Sequence, residues 1–299
     1  MASLYDIRIG TIVGAGNDSA AYIRQILPYG FESFALHFGD SCVGKDLPRL
    51  AAEIREACAD QATIGAIGVY GNPLETTPKD LETRQSLEML IDNAHLFGTN
   101  VVTGFTGRLR GKPVDDSLLR FKEVFGELAK RAEGKGVRIA LENCPMGGNW
   151  HTGDWNIAFN PTAWEMIFNE VPSEALGLEW EPAHQMSQLI DPLPQLRVWT
   201  PKIFHLHGKD ATTKWDVIRQ YGISSPVRWH FDRTPGFGDS NWTDIISDLR
   251  RFGFQGAIDI EGWHDPVYRE ELEMTGQVRA LRYLKECRGG MFVENPKMK

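Results

Sequence analysis

Short apolar, β-branched runs recur along the chain at near-regular intervals, at residues 7–14 (IRIGTIVG), 33–39 (SFALHFG), 63–71 (TIGAIGVYG), 100–107 (NVVTGFTG), 138–145 (RIALENCP), 176–184 (LGLEWEPAH), 203–210 (IFHLHGKD) and 256–263 (GAIDIEGW). Between them lie stretches with helical periodicity, among them 46–60, 79–97, 117–133, 241–252 and 266–287. Strand and helix alternate from one end to the other, without a Ser/Gly/Pro linker or a low-complexity tract. Eight β/α units in 299 residues predict one α/β domain over 1–299, a single (β/α)8 TIM barrel. A longer connection after the seventh run predicts an insertion at about 211–240. Residues 13–18, VGAGND, lack the third glycine and the following acid of a dinucleotide-binding turn, so a nicotinamide or flavin reading is disfavoured.

Composition narrows the partners. The net charge is −8, from 40 acidic and 32 basic residues, and no basic run occurs, which argues against nucleic acid or an anionic membrane as partner. Small molecules or proteins are expected instead, and a homo-oligomer is left open. The start MASLYDIRIG carries no apolar signal segment and no long apolar run follows, so a cytoplasmic address is expected. The four cysteines are scattered without a CxxC pair, which excludes a zinc knuckle or a disulfide framework as the organising feature.

A barrel gathers its chemistry at the C-terminal ends of its strands. There the fifth run ends in Glu142, the sixth in Glu181 with His184 beyond it, the seventh in His207 and the eighth in Glu261. Carboxylates converging on one mouth repel each other and are costly to bury unless a cation neutralises them. An oxygen-rich site with one imidazole suits one divalent cation, Mn²⁺ foremost, with Mg²⁺, Co²⁺ or Zn²⁺ as alternatives. Two residues before each of these positions stand Ala140, Glu179, His205 and Asp259, facing inward one layer deeper. His205 is therefore expected to bond Glu179 or Asp259 and to orient the ligands above. Around the mouth, His37, Tyr70, Phe105 and Cys144 are candidate lining residues, and the loop with Trp150, His151, Asp154 and Trp155 offers aromatic faces to a substrate or serves as a surface lid or an oligomer contact. Arg233, inside the long connection, is a candidate substrate contact because its guanidinium presents several fixed donors.

These motifs together resemble the xylose isomerase-like TIM barrels of the sugar phosphate isomerase/epimerase family. Glu142 in LENCP, Glu181 and His184 in EPAH, His207 in HGKD and Glu261 in DIEGWHDP resemble its ligand motifs, and residues 156–164 (NIAFNPTAW), 233–238 (RTPGFG) and 241–242 resemble its loops. The family commonly has Asp where Glu181 stands. The resemblance implies that Glu142, Glu181, His207 and Glu261 bind one metal, and that Glu142 and Glu261 double as the catalytic acid/base pair. His184, Arg233, His37 and Trp150 are then the substrate-binding candidates. It implies a metal-dependent sugar isomerase or ketose 3-epimerase working by proton transfer through an enediolate, since a single compact ligand set does not suit a two-metal hydride shift. Two alternatives stay open: a keto-sugar or keto-inositol dehydratase or lyase on the same metal, and a non-catalytic sugar-binding subunit. Abasic-site endonuclease action is disfavoured by the acidic charge and the single-metal set. With no phosphate-binding turn in view, an unphosphorylated sugar or keto-sugar is the expected substrate.

Overall fold

Runs rich in Ile, Val and Ala can be buried on both faces only in a parallel sheet covered by helices. The computed structural model describes residues 7–291 and 293–296; residues 1–6, where the sequence suggests no apolar leader, lie outside them. Among the described residues, eight parallel strands close into a barrel: β1 (Ile7–Gly14), β2 (Ser33–His37), β3 (Thr63–Val69), β4 (Val101–Gly104), β5 (Arg138–Glu142), β6 (Leu176–Trp180), β7 (Ile203–Gly208) and β10 (Gly256–Ile260), with β10 pairing back onto β1. The (β/α)8 expectation is met. Between β7 and β10, β8 (Asp210–Thr213) and β9 (His230–Arg233) form a separate antiparallel ribbon, joined through the short helix α8 (Trp215–Tyr221).

The helices start where the local chemistry permits. Helix α3 (Pro78–Phe97) opens on a capping box between Thr77 and Asp80 with proline in its first turn, and ends at Gly98 in the left-handed region. For α2 (Leu47–Cys58), Asp46 accepts from the Arg49 amide, and for α5 (Pro161–Glu170) Asn160 accepts from the Ala163 amide. The last helix, α10 (Glu273–Cys287), begins later than the periodicity from 266 suggests. Asp265 Oδ1 accepts from the amides of Val267 and Tyr268, and this turn holds the segment out of the helix. The apolar faces of α1 (Ser19–Ile26), α2, α3, α4 (Val114–Glu133) and α10 pack on the outer barrel wall in one large core that includes Ile23, Ile54, Leu90, Phe125 and Leu281. A smaller cluster, Ile12, Ala35, Ala66, Val101, Ala140 and Phe204, is separate from it. No described helix is long and apolar enough to cross a membrane.

Candidate metal centre and active site

Four consecutive barrel strands deliver the polar cluster. Glu142 is the last residue of β5, Glu181 follows β6, His207 lies near the end of β7, and Glu261 follows β10. One donor atom from each lies within 4.8 Å of all the others. His207 Nδ1 faces them, 3.4 Å from Glu142 Oε1, 3.3 Å from Glu261 Oε2 and 3.8 Å from Glu181 Oε2. All four side chains are buried.

Two asparagines fix the backbones that carry the carboxylates. Asn143 accepts from the Glu181 amide at 2.9 Å and donates to the Glu181 carbonyl at 2.9 Å, locking the ends of β5 and β6 together. Asn156 donates to the carbonyls of Glu142 and Cys144, each at 2.8 Å. Glu181 also occupies the cap position of the short helix α6 (Pro182–Met186), on whose first turn His184 sits. Its Nε2 is 2.5 Å from Glu181 Oε1.

Beneath the cluster lies a second polar layer. The His205 ring bridges two fully buried carboxylates, with Nδ1 2.9 Å from Glu179 Oε1 and Nε2 2.8 Å from Asp259 Oδ2. Glu179 Oε1 also stands 3.0 Å from His207 Nε2, while its Oε2 accepts from Tyr70 at 2.8 Å. His207 is thereby oriented with Nδ1 toward the mouth. Space for this layer comes from glycine: a Cβ at Gly65 would lie 2.6 Å from both Asp259 Oδ2 and Ser33 Oγ.

The electrostatics are strongly unbalanced. Burial raises the Glu181 carboxyl well above its usual range, with Lys209 opposing, and raises Glu142 against the pull of His207. Glu261 goes the other way: burial would raise it, but Lys209, His207 and His264 together hold it well below. Lys209 Nζ is 3.1 Å from Glu261 and 3.7 Å from Glu181, and its ammonium survives burial because Glu181, Glu261 and Asp232 outweigh the desolvation. Burial and then Lys209 drive His184 well below its ordinary value, favouring the neutral ring. Oε2 of Glu181, Oε2 of Glu261 and Nδ1 of His207 are buried without a well-directed hydrogen bond among the described residues, while Oε1 of Glu181 is taken up by His184. With the Glu142 carboxylate that faces them, they make a convergent buried set of three carboxylates and one imidazole, which fits a hard divalent cation.

The cavity above these residues has a volume of about 380 Å³ and is walled by His37, Tyr70, Phe105, Cys144, Met146, His184, Asp232 and Trp263 beside the cluster. The profile of the family described as xylose isomerase-like TIM barrel matches residues 23–287. The chain belongs to this family. Along its length it is similar to inosose dehydratase 1 of Bacillus cereus, at 23% identity over 293 residues covering 93% of this chain and 92% of that protein. In fold it is similar to a xylose isomerase domain protein from Planctomyces limnophilus, with a TM-score of 0.71, 16% identity and coverage of 94% and 97%. The same holds for 3-keto-D-glucoside 4-epimerase from E. coli, with a TM-score of 0.68, 15% identity and coverage of 94% and 100%.

Within the family barrel, the residues anticipated from sequence fall into two groups. Glu142, Glu181, His207, Glu261, His184 and His37 come together at the mouth, His37 stacked on Tyr70 with ring centroids 4.5 Å apart. Arg233 and Trp150 do not line the cavity: Arg233 Nε donates to Asp265 at 3.1 Å and Trp150 Nε1 donates to Asp115 at 3.0 Å. Three ionisable residues of the mouth escaped the sequence reading, besides Met146 and Trp263 on its wall. Lys209 was legible, because it stands two residues after His207 and so shares its inward face. His264, 2.9 Å from Glu261 Oε1, lies three residues past that glutamate in the DIEGWHDP motif. Asp232, held down to about 2 by His230, Lys209 and His184 against the effect of burial, reaches the cavity from the ribbon and left no local signal. Asp210, the other charge of HGKD, is structural: it accepts from the amides of Ala211, Gly236 and Ser240 and from Trp242 Nε1, fastening the return of the ribbon to the barrel.

Proposed function

We propose that the protein is a divalent-metal-dependent enzyme that takes a proton from the carbon next to the ketone of an uncharged sugar or cyclitol, with sugar isomerisation or 3-epimerisation as the outcome. The observation that carries the reading is the convergence of Glu142, Glu181, His207 and Glu261, buried with their donor atoms within 4.8 Å of one another at the mouth of a barrel of this family. These four residues would hold one cation, Mn²⁺ foremost. When bound it would supply Lewis acidity that makes a hydrogen beside a substrate carbonyl removable. Glu261, kept ionised by Lys209, is the base, and Glu142, whose carboxyl burial raises, is its acid partner across the mouth. They stand at the ends of β5 and β10, separated in the barrel by β6 and β7, so they approach a substrate at the mouth from different directions. His37 and Tyr70 offer flat faces to the C–H surface of a ring. With Glu142, Asp232 and Glu261 on the wall, the cavity is unfavourable for a phosphorylated substrate.

A second reading, dehydration, is favoured by Lys209 and by the full-length similarity to an inosose dehydratase. The ammonium lies beside Glu261 and can donate to a departing hydroxyl. Both outcomes share the first proton transfer, so one experiment tests that step. Free ketoses, keto-inositols and keto-glucosides are incubated in D₂O with Mn²⁺-loaded protein, and the carbon next to the carbonyl is examined by NMR. Deuterium is expected there, lost in Glu261→Gln at matched metal content and lost in the wild type after chelation. Turnover without solvent deuterium, or full activity after chelation, refutes the reading; a dehydrated product selects the second outcome.

A further inference from the structure

The turn at residues 13–18, which resembles a dinucleotide fingerprint and fails it, borders a groove of about 600 Å³ that shares Ile12, His37 and Trp263 with the candidate catalytic cavity. The two spaces therefore meet along a common wall. Open room characterises the groove: a Cβ built on Gly14, Gly16 or Gly39 meets nothing within 4 Å. Ser19 Oγ holds the turn in shape, accepting from the Gly16 amide at 2.7 Å and donating to the Gly14 carbonyl at 2.6 Å. Two large rings edge the groove while partly exposed, Tyr22 at 38% and Trp263 at 41%. Asp18, Asn17 and Glu273 add hydroxyl-seeking oxygens, and among the described residues no lysine or arginine lines it.

We infer that this groove is a subsite for a second, uncharged ring joined to the ring that reacts in the barrel mouth, so that the preferred substrate is a keto-glycoside rather than a free monosaccharide. The inference rests on the proposed keto-sugar chemistry and extends it. Exposed aromatic faces pair with the C–H face of a sugar or with an aryl ring, and the acidic rim excludes a phosphate or carboxylate substituent. The three shared residues place the two spaces next to each other, within reach of the two rings of one glycoside, and the groove's volume falls within the ~300–1,000 Å³ of ordinary small-molecule sites.

Three probes test this: methyl 3-keto-glucoside, 4-nitrophenyl 3-keto-glucoside and 3-keto-maltose. Dissociation constants are measured by calorimetry on both chelator-treated and Mn²⁺-loaded protein, alongside deuterium exchange. At least one two-ring probe is expected to bind about tenfold tighter than the methyl glucoside, the equivalent of one good aromatic contact. Benefit to the nitrophenyl probe alone assigns an aryl ring, and benefit to the maltose derivative alone assigns a sugar. Gly16→Trp, which fills open space at a residue outside the left-handed region, and Trp263→Ala should each remove that preference. Equal affinity for the three probes, no binding by any of them, or a preference that survives Gly16→Trp overturns the inference. Tighter two-ring binding without exchange or turnover leaves the subsite standing and refutes the catalytic reading instead.

Discussion

Replacing His205 with phenylalanine removes a ring whose two nitrogens bond to Glu179 and Asp259, both fully buried. Each carboxylate then loses its cationic partner without gaining access to water. Breaking one buried ion pair costs about 3–5 kcal/mol, and at about 2–4 °C per kcal/mol for a large domain the melting temperature should fall by about 6–20 °C. Metal affinity should weaken by about ten- to a hundredfold, because Glu179 also faces His207 Nε2 and would shift toward it once released. The pH dependence has a definite sign. Burial lowers His205, but Asp259 and Glu179 outweigh it and leave the folded pKa raised. Its stabilisation is therefore complete below the unfolded value of about 6.5 and is lost as pH rises through the folded one. Thermal denaturation from pH 5 to 9, paired with Mn²⁺ titration by calorimetry, measures both effects. The gap between wild type and variant should be widest on the acid side and narrow at alkaline pH. A variant that melts within about 2 °C of wild type near pH 6 and binds Mn²⁺ equally well would refute the reasoning.

Gly65→Ala should mimic part of that loss, since the new methyl group meets Asp259 Oδ2 and Ser33 Oγ; a lower melting temperature with weakened Mn²⁺ binding is expected, and unchanged metal affinity would count against the supporting role of Asp259. His207→Ala should abolish specific Mn²⁺ binding outright, as read by metal analysis after gel filtration, whereas His205→Phe should retain a weakened site. Arg110→Ala leaves the 2%-exposed Asp80 carboxylate, which caps α3 together with Thr77, without its ion-pair partner. Burial raises the Asp80 pKa, but Arg110 and Thr77 bring it below its ordinary value, so the stability it contributes is present above about pH 4 and lost as pH falls through the folded value. The gap in melting temperature between wild type and Arg110→Ala should thus close on acidification, and a constant gap down to pH 3 would contradict the assignment.

The sequence carries the barrel because burial on both faces leaves continuous apolar runs, and it carries the candidate ligands because strand-end position and alternate parity are local properties. The same parity marks Glu179, His205 and Asp259 as inward-facing, and it marks Lys209, which sequence reading passes over when HGKD is taken as a motif and not as a strand continuing inward. Asp232 is different in kind. Its place at the mouth depends on β9 pairing with β8 across an intervening helix, a non-local contact without a residue pattern of its own. The roles of Arg233 and Trp150 are equally non-local: Asp265 and Asp115, which take up their donors, lie 32 and 35 residues away in the chain. Nor does the late start of α10 show in the periodicity from 266, because the Asp265 turn competes with the helix through side-chain bonds.

The ribbon of β8 and β9 also sets a rule for anyone re-engineering this protein. Its base is tied to the returning chain through Asp210 and reaches the cavity through Asp232, but its far end is closed by the Lys214 amide donating to the Trp229 carbonyl at 2.7 Å. The chain thus enters and leaves the tip side by side, and residues 215–228 form a detachable cassette. Exchange for a short hairpin turn should preserve the seat, because the flanking pairs Thr213–His230 and Thr212–Phe231 remain in register. A cut a few residues deeper, through Asp210 or Asp232, would dismantle the mouth itself.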